Sequence, residues 1–217
     1  MKKILAIVAA AACALPAWAD GLSSLETFIK TVSSGRADFT QVVTAPAREG
    51  QGVRSKTSSG SFEFSRPGRF KFVYKKPFEQ SIVADGQTLW LYDVDLNQVT
   101  ARKQANALGT TPAALIASAS DLRALQADFT LSPTPDQDGQ QWVLATPKVK
   151  DGQLQAVRIG FRQSEKTASS QELATLEIVD SFGQRSVLSF SKLEVNPSLT
   201  VDTFTFKPPK GADVIRQ

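Results

Sequence analysis

The stretch that decides the fold is Gly60-Ser-Phe-Glu-Phe-Ser-Arg-Pro-Gly-Arg-Phe-Lys-Phe-Val-Tyr74. Successive side chains of a strand point to opposite faces, so each half of the stretch places its aromatic rings on one face. Between the halves, the Pro67-Gly68 pair is typical of a type II turn, because proline presets φ and glycine tolerates a positive φ. The stretch therefore predicts a hairpin with an aromatic face formed by Phe62, Phe64, Phe70 and Phe72.

The aromatic face of this hairpin has two interpretations. The rings can fill the core of an ordinary β-sandwich, or they can line a cavity for an apolar ligand. The alternating pattern alone favours the core, and both interpretations stay open at this point.

Strands of the same kind precede and follow the hairpin, with short local turns that predict an antiparallel meander of about ten strands. An amphipathic helix begins near Ser23 and ends near Gly35, and two short alanine-rich helices are predicted in the middle, at 111–117 and 121–127. Residues 45–59 are predicted to form a long hairpin tip, and residues 133–139 a connection between strands. The other strands are predicted at 37–44, 80–84, 88–92, 97–102, 129–131, 141–146, 154–161, 173–179, 185–193 and 203–206.

The first residues have the pattern of a secretory signal peptide. A short basic start is followed by an apolar run from Ile4 to Leu15 and by the small-x-small pattern that ends at Ala19. We expect cleavage after Ala19 and a single domain over residues 20–217 in the periplasm. Removal of Lys2 and Lys3 would lower the 25 basic residues to 23, against 21 acidic ones, so the composition does not indicate nucleic-acid binding.

The composition argues against an enzyme. The chain has no histidine, and its one cysteine lies in the predicted signal peptide, which excludes Ser-His-Asp and Cys-His sites and zinc sites built on these residues. Acidic pairs such as Asp93 with Asp95 lie among turn residues, and no phosphate-binding or dinucleotide-binding glycine motif is present. We expect no catalysis, no metal and no cofactor.

Several blocks resemble the LolA family of periplasmic carriers of outer-membrane lipoproteins. They include residues 39–41, the pattern Gly60-x-Phe62-x-Phe64-x-Arg66-Pro67-Gly68-x-Phe70-x-Phe72, and residues 83–92. The series ends with Thr111-Pro112, Leu115-Ile116 and the closing residues 204–209. The resemblance implies an incompletely closed antiparallel β-barrel of about 10–11 strands, with a hydrophobic cavity beneath a lid of short helices.

The resemblance also implies roles for residues and partners. Arg66 would act as a latch that hydrogen-bonds the lid, and Phe70 would contact the acyl chains of the cargo. Leu89, Leu115 and Ile116 would line the cavity with the four phenylalanines. A monomer would receive acylated lipoproteins from an inner-membrane ABC transporter complex and deliver them to a receptor lipoprotein of the outer membrane.

Three alternatives share parts of this pattern. A lipoprotein receptor of similar fold would need a lipidated cysteine, which Cys13 fits poorly because Ala10 stands where a large aliphatic residue is usual. A transmembrane barrel would need tall lipid-facing bands with strands of ~9–11 residues, whereas the strands predicted here are short and interrupted. A lipid-binding sensor of the cell envelope built on the same half-barrel stays open.

Overall fold

The computed structural model describes residues 21–47, 52–107, 116–117, 119, 121–149, 152–164 and 171–217. Twelve strands form one sheet in the order β12-β6-β5-β4-β3-β2-β1-β11-β10-β9-β8-β7. All neighbours are antiparallel except β12, which pairs with β6 in parallel. The strands are β1 Ser34–Thr44, β2 Ser55–Ser65, β3 Arg69–Lys76, β4 Gln80–Ala84, β5 Thr88–Asp93, β6 Gln98–Lys103, β7 Phe129–Gln137, β8 Gln140–Pro147, β9 Leu154–Gln163, β10 Gln171–Asp180, β11 Arg185–Val195 and β12 Asp213–Arg216.

The sheet curls but does not close, since β7 and β12 form its two outer strands. The prediction of an incompletely closed antiparallel barrel is therefore confirmed. The outer strand β7 contains Pro133 and Pro135, which lack the N–H that a central strand would need for its ladder.

The predicted aromatic hairpin is present as β2 and β3. Phe62 lies opposite Phe72, and Phe64 lies opposite Phe70, so the four rings share one face of the sheet. Gly68 adopts φ +74°, the conformation for which glycine is suited. The turn between the strands is the one predicted at Pro67 and Gly68.

The helices that lie wholly within the described residues are α1 Gly21–Thr31, α2 Gln104–Ala107 and α3 Leu122–Asp128, and residues 116–117 are also helical. Helix α1 buries Leu25, Phe28 and Ile29 against β7–β10, on the face that also carries the hairpin phenylalanines. This face is called the inner face here. Asp121 caps α3 by accepting a hydrogen bond from the Ala124 N–H at 2.8 Å, as the sequence predicts.

Several predicted boundaries were wrong. Residues 203–206 do not form a strand, because the 3-10 turn Val201–Phe204 lies against β3 and Phe206 packs on Trp90 of the outer face at 5.5 Å. Strand β12 was not predicted. Strand β2 begins at Ser55, inside the predicted hairpin tip, and β7 continues through the predicted connection to Gln137.

Gly60 allows β2 and β3 to approach each other closely. The two strands shift register between Ser59 and Gly60, and a Cβ atom at Gly60 would overlap the carbonyl oxygen of Val73. We expect Gly60→Ala to lower the free energy of unfolding by about 1–3 kcal/mol, the usual cost of overpacking.

Urea unfolding measures this difference, with Gly52→Ala as the matched control, because no atom lies within 4 Å of a Cβ at Gly52. Equal stability of the two variants would contradict the close approach at Gly60.

Candidate functional site

An aromatic cluster covers the middle of the inner face. Phe62 stacks on Phe72 with ring centroids 4.4 Å apart, and it contacts Phe190 of β11 at 5.5 Å. Phe39 of β1 meets Phe72 edge-on at 5.3 Å. The four hairpin phenylalanines are between 0% and 4% exposed, so in this structure they pack as a core.

Helix α1 joins the two halves of the inner face. The Phe28 ring lies 6.2 Å from Phe64 of β2 and 5.7 Å from Phe161 of β9. Because β2 and β9 lie on opposite sides of β1, this helix bridges the concavity of the curled sheet.

Arg66 lies in the turn between β2 and β3, at one end of the aromatic cluster. Its Nε donates to the carbonyl oxygen of Ile116 at 3.0 Å, and its Nη1 donates to the carbonyl oxygen of Val32, directly after α1. The guanidinium carbon lies 5.1 Å from the Phe28 ring centroid and 5.3 Å from that of Phe64. The side chain thus connects the β2–β3 turn, the end of α1 and the helical residues 116–117.

Gly68 provides a second bond from the same turn. Its backbone N–H donates to the carbonyl oxygen of Ala117 at 2.8 Å. Two neighbouring carbonyls of the predicted lid, Ile116 and Ala117, therefore accept hydrogen bonds from two residues of one turn.

The electrostatics of Arg66 follow from its burial. Desolvation lowers the pKa of the guanidinium from 12.5 to about 10, which still leaves it protonated at neutral pH. Its Nη2 atom is buried and has no hydrogen-bond partner within the described residues. Arg66 is therefore a cation at neutral pH that is held by two backbone carbonyls and two aromatic rings.

The described residues leave little space beside residues 116–117 in the hollow that Ile116 lines. A cavity of only about 10 Å³ is enclosed there, at most enough for a single water molecule. Its lining consists of Leu25, Phe28, Ile29, Arg66, Ile116, Ile159, Phe161 and Leu173. Ile116 and Ala117 of the predicted lid are therefore buried against the inner face in this structure.

A larger hollow of about 500 Å³ lies at the opposite end of the inner face. Tyr74, Gln41 and Gln80 contribute to its wall, so its lining is more polar than that of the small cavity. Burial raises the pKa of Tyr74 to about 12, and the ring packs edge-on against Phe39 at 5.0 Å. Tyr74 therefore marks the border between the aromatic cluster and this hollow.

The structure brings most of the predicted site residues together. Phe62, Phe64, Phe70 and Phe72 share the inner face with Ile116, which is 4% exposed, and Leu89 packs partly buried against the same cluster. Leu115 and residues 111–114 of the predicted lid lie outside the described residues.

Sequence reasoning missed Phe161 and Phe190 as members of the aromatic cluster. Alternation in β9 and β11 could have indicated them, since Phe161 follows Ile159 and Phe190 follows Leu188 at two-residue spacing. The two strands are far from the hairpin in sequence, so the sequence does not mark them as neighbours of it. Phe190 contacts Phe62 directly, whereas Phe161 is linked to Phe64 through Phe28 of α1.

Other kinds of site find no support in the described part of the chain. Its His, Cys, Asp and Glu residues form no group of three that could hold a metal ion. Every helix in these ranges falls short of the length and hydrophobicity needed to cross a membrane.

The Arg66 contacts predict how the lid residues open. We expect Arg66→Leu to accelerate amide exchange at Gly68 by about ten- to a hundredfold, because hydrogen bonds to a charged group contribute roughly 1.5–3 kcal/mol. The Gly68 N–H reports closure directly, since its acceptor is the carbonyl of Ala117. Arg69→Leu, at the start of β3, is the matched control. Equal exchange in both variants would show that Arg66 does not hold these residues.

Comparison with known proteins agrees with this geometry. Residues 30–207 match the family model described as outer membrane lipoprotein carrier protein LolA. The chain is 73% identical to the outer-membrane lipoprotein carrier protein of Albidiferax ferrireducens over 99% of this chain and 100% of that protein. It is 53% identical to the protein of the same description from Methylibium petroleiphilum, over 93% and 92% of the two chains.

A solved structure supports the fold alone. An uncharacterized conserved protein from Thermus thermophilus is 14% identical, covers 91% of this chain and 99% of its own, and aligns with a TM-score of 0.50. The family assignment rests on the sequence matches. With a family match across most of its length, the chain belongs to the LolA family of outer membrane lipoprotein carrier proteins.

Proposed function

We propose that this protein carries lipoproteins by holding their acyl chains between the aromatic inner face and the lid residues. The observation that carries the proposal is the position of Arg66, which ties Ile116 and α1 together directly above buried phenylalanines. Burial of this cation costs free energy, because its Nη2 has no partner within the described residues, and that cost supports a contact that can open. Membership of the LolA family supports the same function.

The closed form has to open before cargo enters. An acyl chain of ~15 methylenes contributes roughly 12 kcal/mol when it leaves water. The enclosed 10 Å³ cannot hold one. Separation of residues 116–117 from the sheet would expose the rings of Phe62, Phe64 and Phe70 as the receiving surface.

The latch is weak compared with the cargo. Opening breaks the Arg66–Ile116 and Gly68–Ala117 hydrogen bonds, which together contribute a few kcal/mol. Acyl-chain burial exceeds this sum, so cargo binding can drive opening. Restoration of the same bonds after delivery favours the empty, closed protein.

The cellular setting is also part of the proposal. The signal-peptide pattern that ends at Ala19 supports export to the periplasm. There the protein would act as a monomer, taking acylated lipoproteins from an inner-membrane ABC transporter complex and passing them to a receptor lipoprotein of the outer membrane.

Ligand binding tests the inner face directly. We expect a hydrophobic dye to bind the purified protein, to be displaced by a triacylated lipopeptide, and to bind more weakly when Phe62→Ser introduces a hydroxyl into the cluster. Phe182→Ser, in the exposed β10–β11 turn, is the control. Absence of dye uptake, together with an unchanged melting temperature on addition of lipopeptide, would contradict the proposal.

Delivery tests the latch. We expect Arg66→Leu to accept lipoprotein from inner-membrane preparations but to retain it, because the closed form loses its hydrogen bonds to Ile116 and Val32. Arg66→Lys should deliver at an intermediate rate, since an ammonium keeps the charge without the planar set of donors. An assay of lipoprotein transfer to the outer-membrane receptor measures both loading and delivery. Loading and delivery by Arg66→Leu at the wild-type rate would rule out the latch.

A further inference from the structure

Gln104 carries a buried side-chain amide and precedes the predicted lid in the sequence. It is the first residue of α2, directly after β6, and only 4% of its surface is exposed. A buried side-chain amide needs partners for both its oxygen and its nitrogen, because each unpaired polar group costs free energy.

Both ends of the Gln104 amide are bonded, and to two different turns. Its Nε2 donates to the carbonyl oxygen of Gly68 at 2.5 Å, and its Oε1 accepts the backbone N–H of Gly86 at 2.9 Å. The partners determine the orientation of the amide, since a carbonyl can only accept and an N–H can only donate. The Gln104 N–H also donates to the Gln87 carbonyl at 2.8 Å.

The Gly68 carbonyl belongs to the turn that holds the lid residues. The N–H of the same residue donates to Ala117, and Arg66, two positions earlier, donates to Ile116. Ladder pairing of β2 with β3 ends at Ser65 and Arg69, so it does not include residues 66–68. Gln104 supplies a support that the hairpin itself lacks.

We propose that Gln104 is the positioning residue of the lid latch. It holds the β2–β3 turn in the orientation in which Gly68 and Arg66 meet the carbonyls of residues 116 and 117. This role rests on the proposed opening of the lid, but it concerns the closed form and requires no cargo. The Gln104 side chain bonds Gly86 and its backbone N–H bonds Gln87, so the residue anchors the β2–β3 turn to the β4–β5 hairpin. No described hydrogen bond joins residues 116–117 to that hairpin.

The requirement for a glutamine follows from the two bonds. A leucine of similar size would lose both. A carboxylate would keep the acceptor for Gly86 but would place a negative oxygen against the Gly68 carbonyl, where a donor is needed. Once protonated, the carboxyl group can donate there again.

Gln104→Glu therefore converts the support into one that depends on pH. Burial raises the pKa of a carboxyl group above its usual value near 4.3, so the neutral, donating form persists into mildly acidic solution. We expect the Gly68 amide of this variant to be protected like wild type at about pH 4.5 and to exchange about tenfold faster than wild type at pH 7.5, after correction for intrinsic rates. Gln104→Leu should exchange about tenfold faster at both pH values.

The charged groups around Gln104 are the same in the wild type and in the Gln104 variants. They are Arg66 and Arg69 on the latch turn, Lys103 before Gln104, and Asp85 on the β4–β5 turn. Burial would raise the pKa of Asp85, but hydrogen bonds from Thr88, Trp90 and Gln87 outweigh it and lower that pKa, so Asp85 is ionised at both pH values. Gln98→Glu, at the other end of β6, controls for the added acid.

The outcome is read from amide exchange in the cargo-free protein by NMR, with the midpoint of thermal unfolding measured alongside. Faster exchange at Gly68 in Gln104→Glu at pH 7.5 only, with β10 and β11 amides unchanged, supports the role. If Gly68 in Gln104→Glu exchanges as it does in wild type at both pH values, the role is overturned. A uniform loss of protection across the sheet also overturns it. Because no lipid is added, failure here is separate from failure of the carrier function, which dye and lipopeptide binding decide.

Discussion

The contact between α1, the β2–β3 turn and residues 116–117 depends on one guanidinium that satisfies carbonyl groups from two separate segments. Val32 follows the last turn of α1 and Ile116 lies in a helical segment, so both carbonyls belong to backbone whose dipole is negative toward its carboxyl end. A cation is the natural partner for such groups, and arginine offers several donors in a fixed plane. The guanidinium carbon also lies over the rings of Phe28 and Phe64, so the proposed latch is in contact with the aromatic cluster.

The aromatic cluster needs close backbone packing around it. Gly35 lies opposite Phe64, and a Cβ atom there would overlap the ring. Rings that stack and meet edge-on, as Phe62 and Phe39 do with Phe72, provide a large apolar surface with few rotatable bonds. In the proposed function, such a surface would pack against α1 and the lid in the empty protein and against flexible methylene chains in the loaded one, with little loss of side-chain entropy.

Local chemistry made the hairpin, its turn and the α3 cap predictable from sequence. The turn is determined by Pro67 with Gly68, and the cap by Asp121 before an alanine-rich segment. Each of these residues affects only backbone a few positions away in the sequence. Long-range pairing escaped prediction. Strand β12 exists because it meets β6 in parallel, and the Gln104 amide finds partners on two turns that the sequence does not mark as neighbours. The alternating Phe204 and Phe206 resemble a strand, yet Phe204 lies buried in a 3-10 turn against β3 and Phe206 packs on Trp90 of the outer face.

In the proposed transport cycle, packing of the lid onto the inner face lets release occur without an energy source in the protein. If the lid stayed open after cargo left, the apolar inner face would be exposed to water at a cost of roughly 25 cal/mol per Å². Seating of residues 116–117 beside Phe161 and Ile159, where about 10 Å³ of space remains, would remove that cost. Latch bonds of a few kcal/mol would then decide how completely the lid closes, whereas the apolar packing would decide that it closes at all. Direction would therefore come from the receiving site, whose affinity for the acyl chains has to exceed only the difference between two packed states.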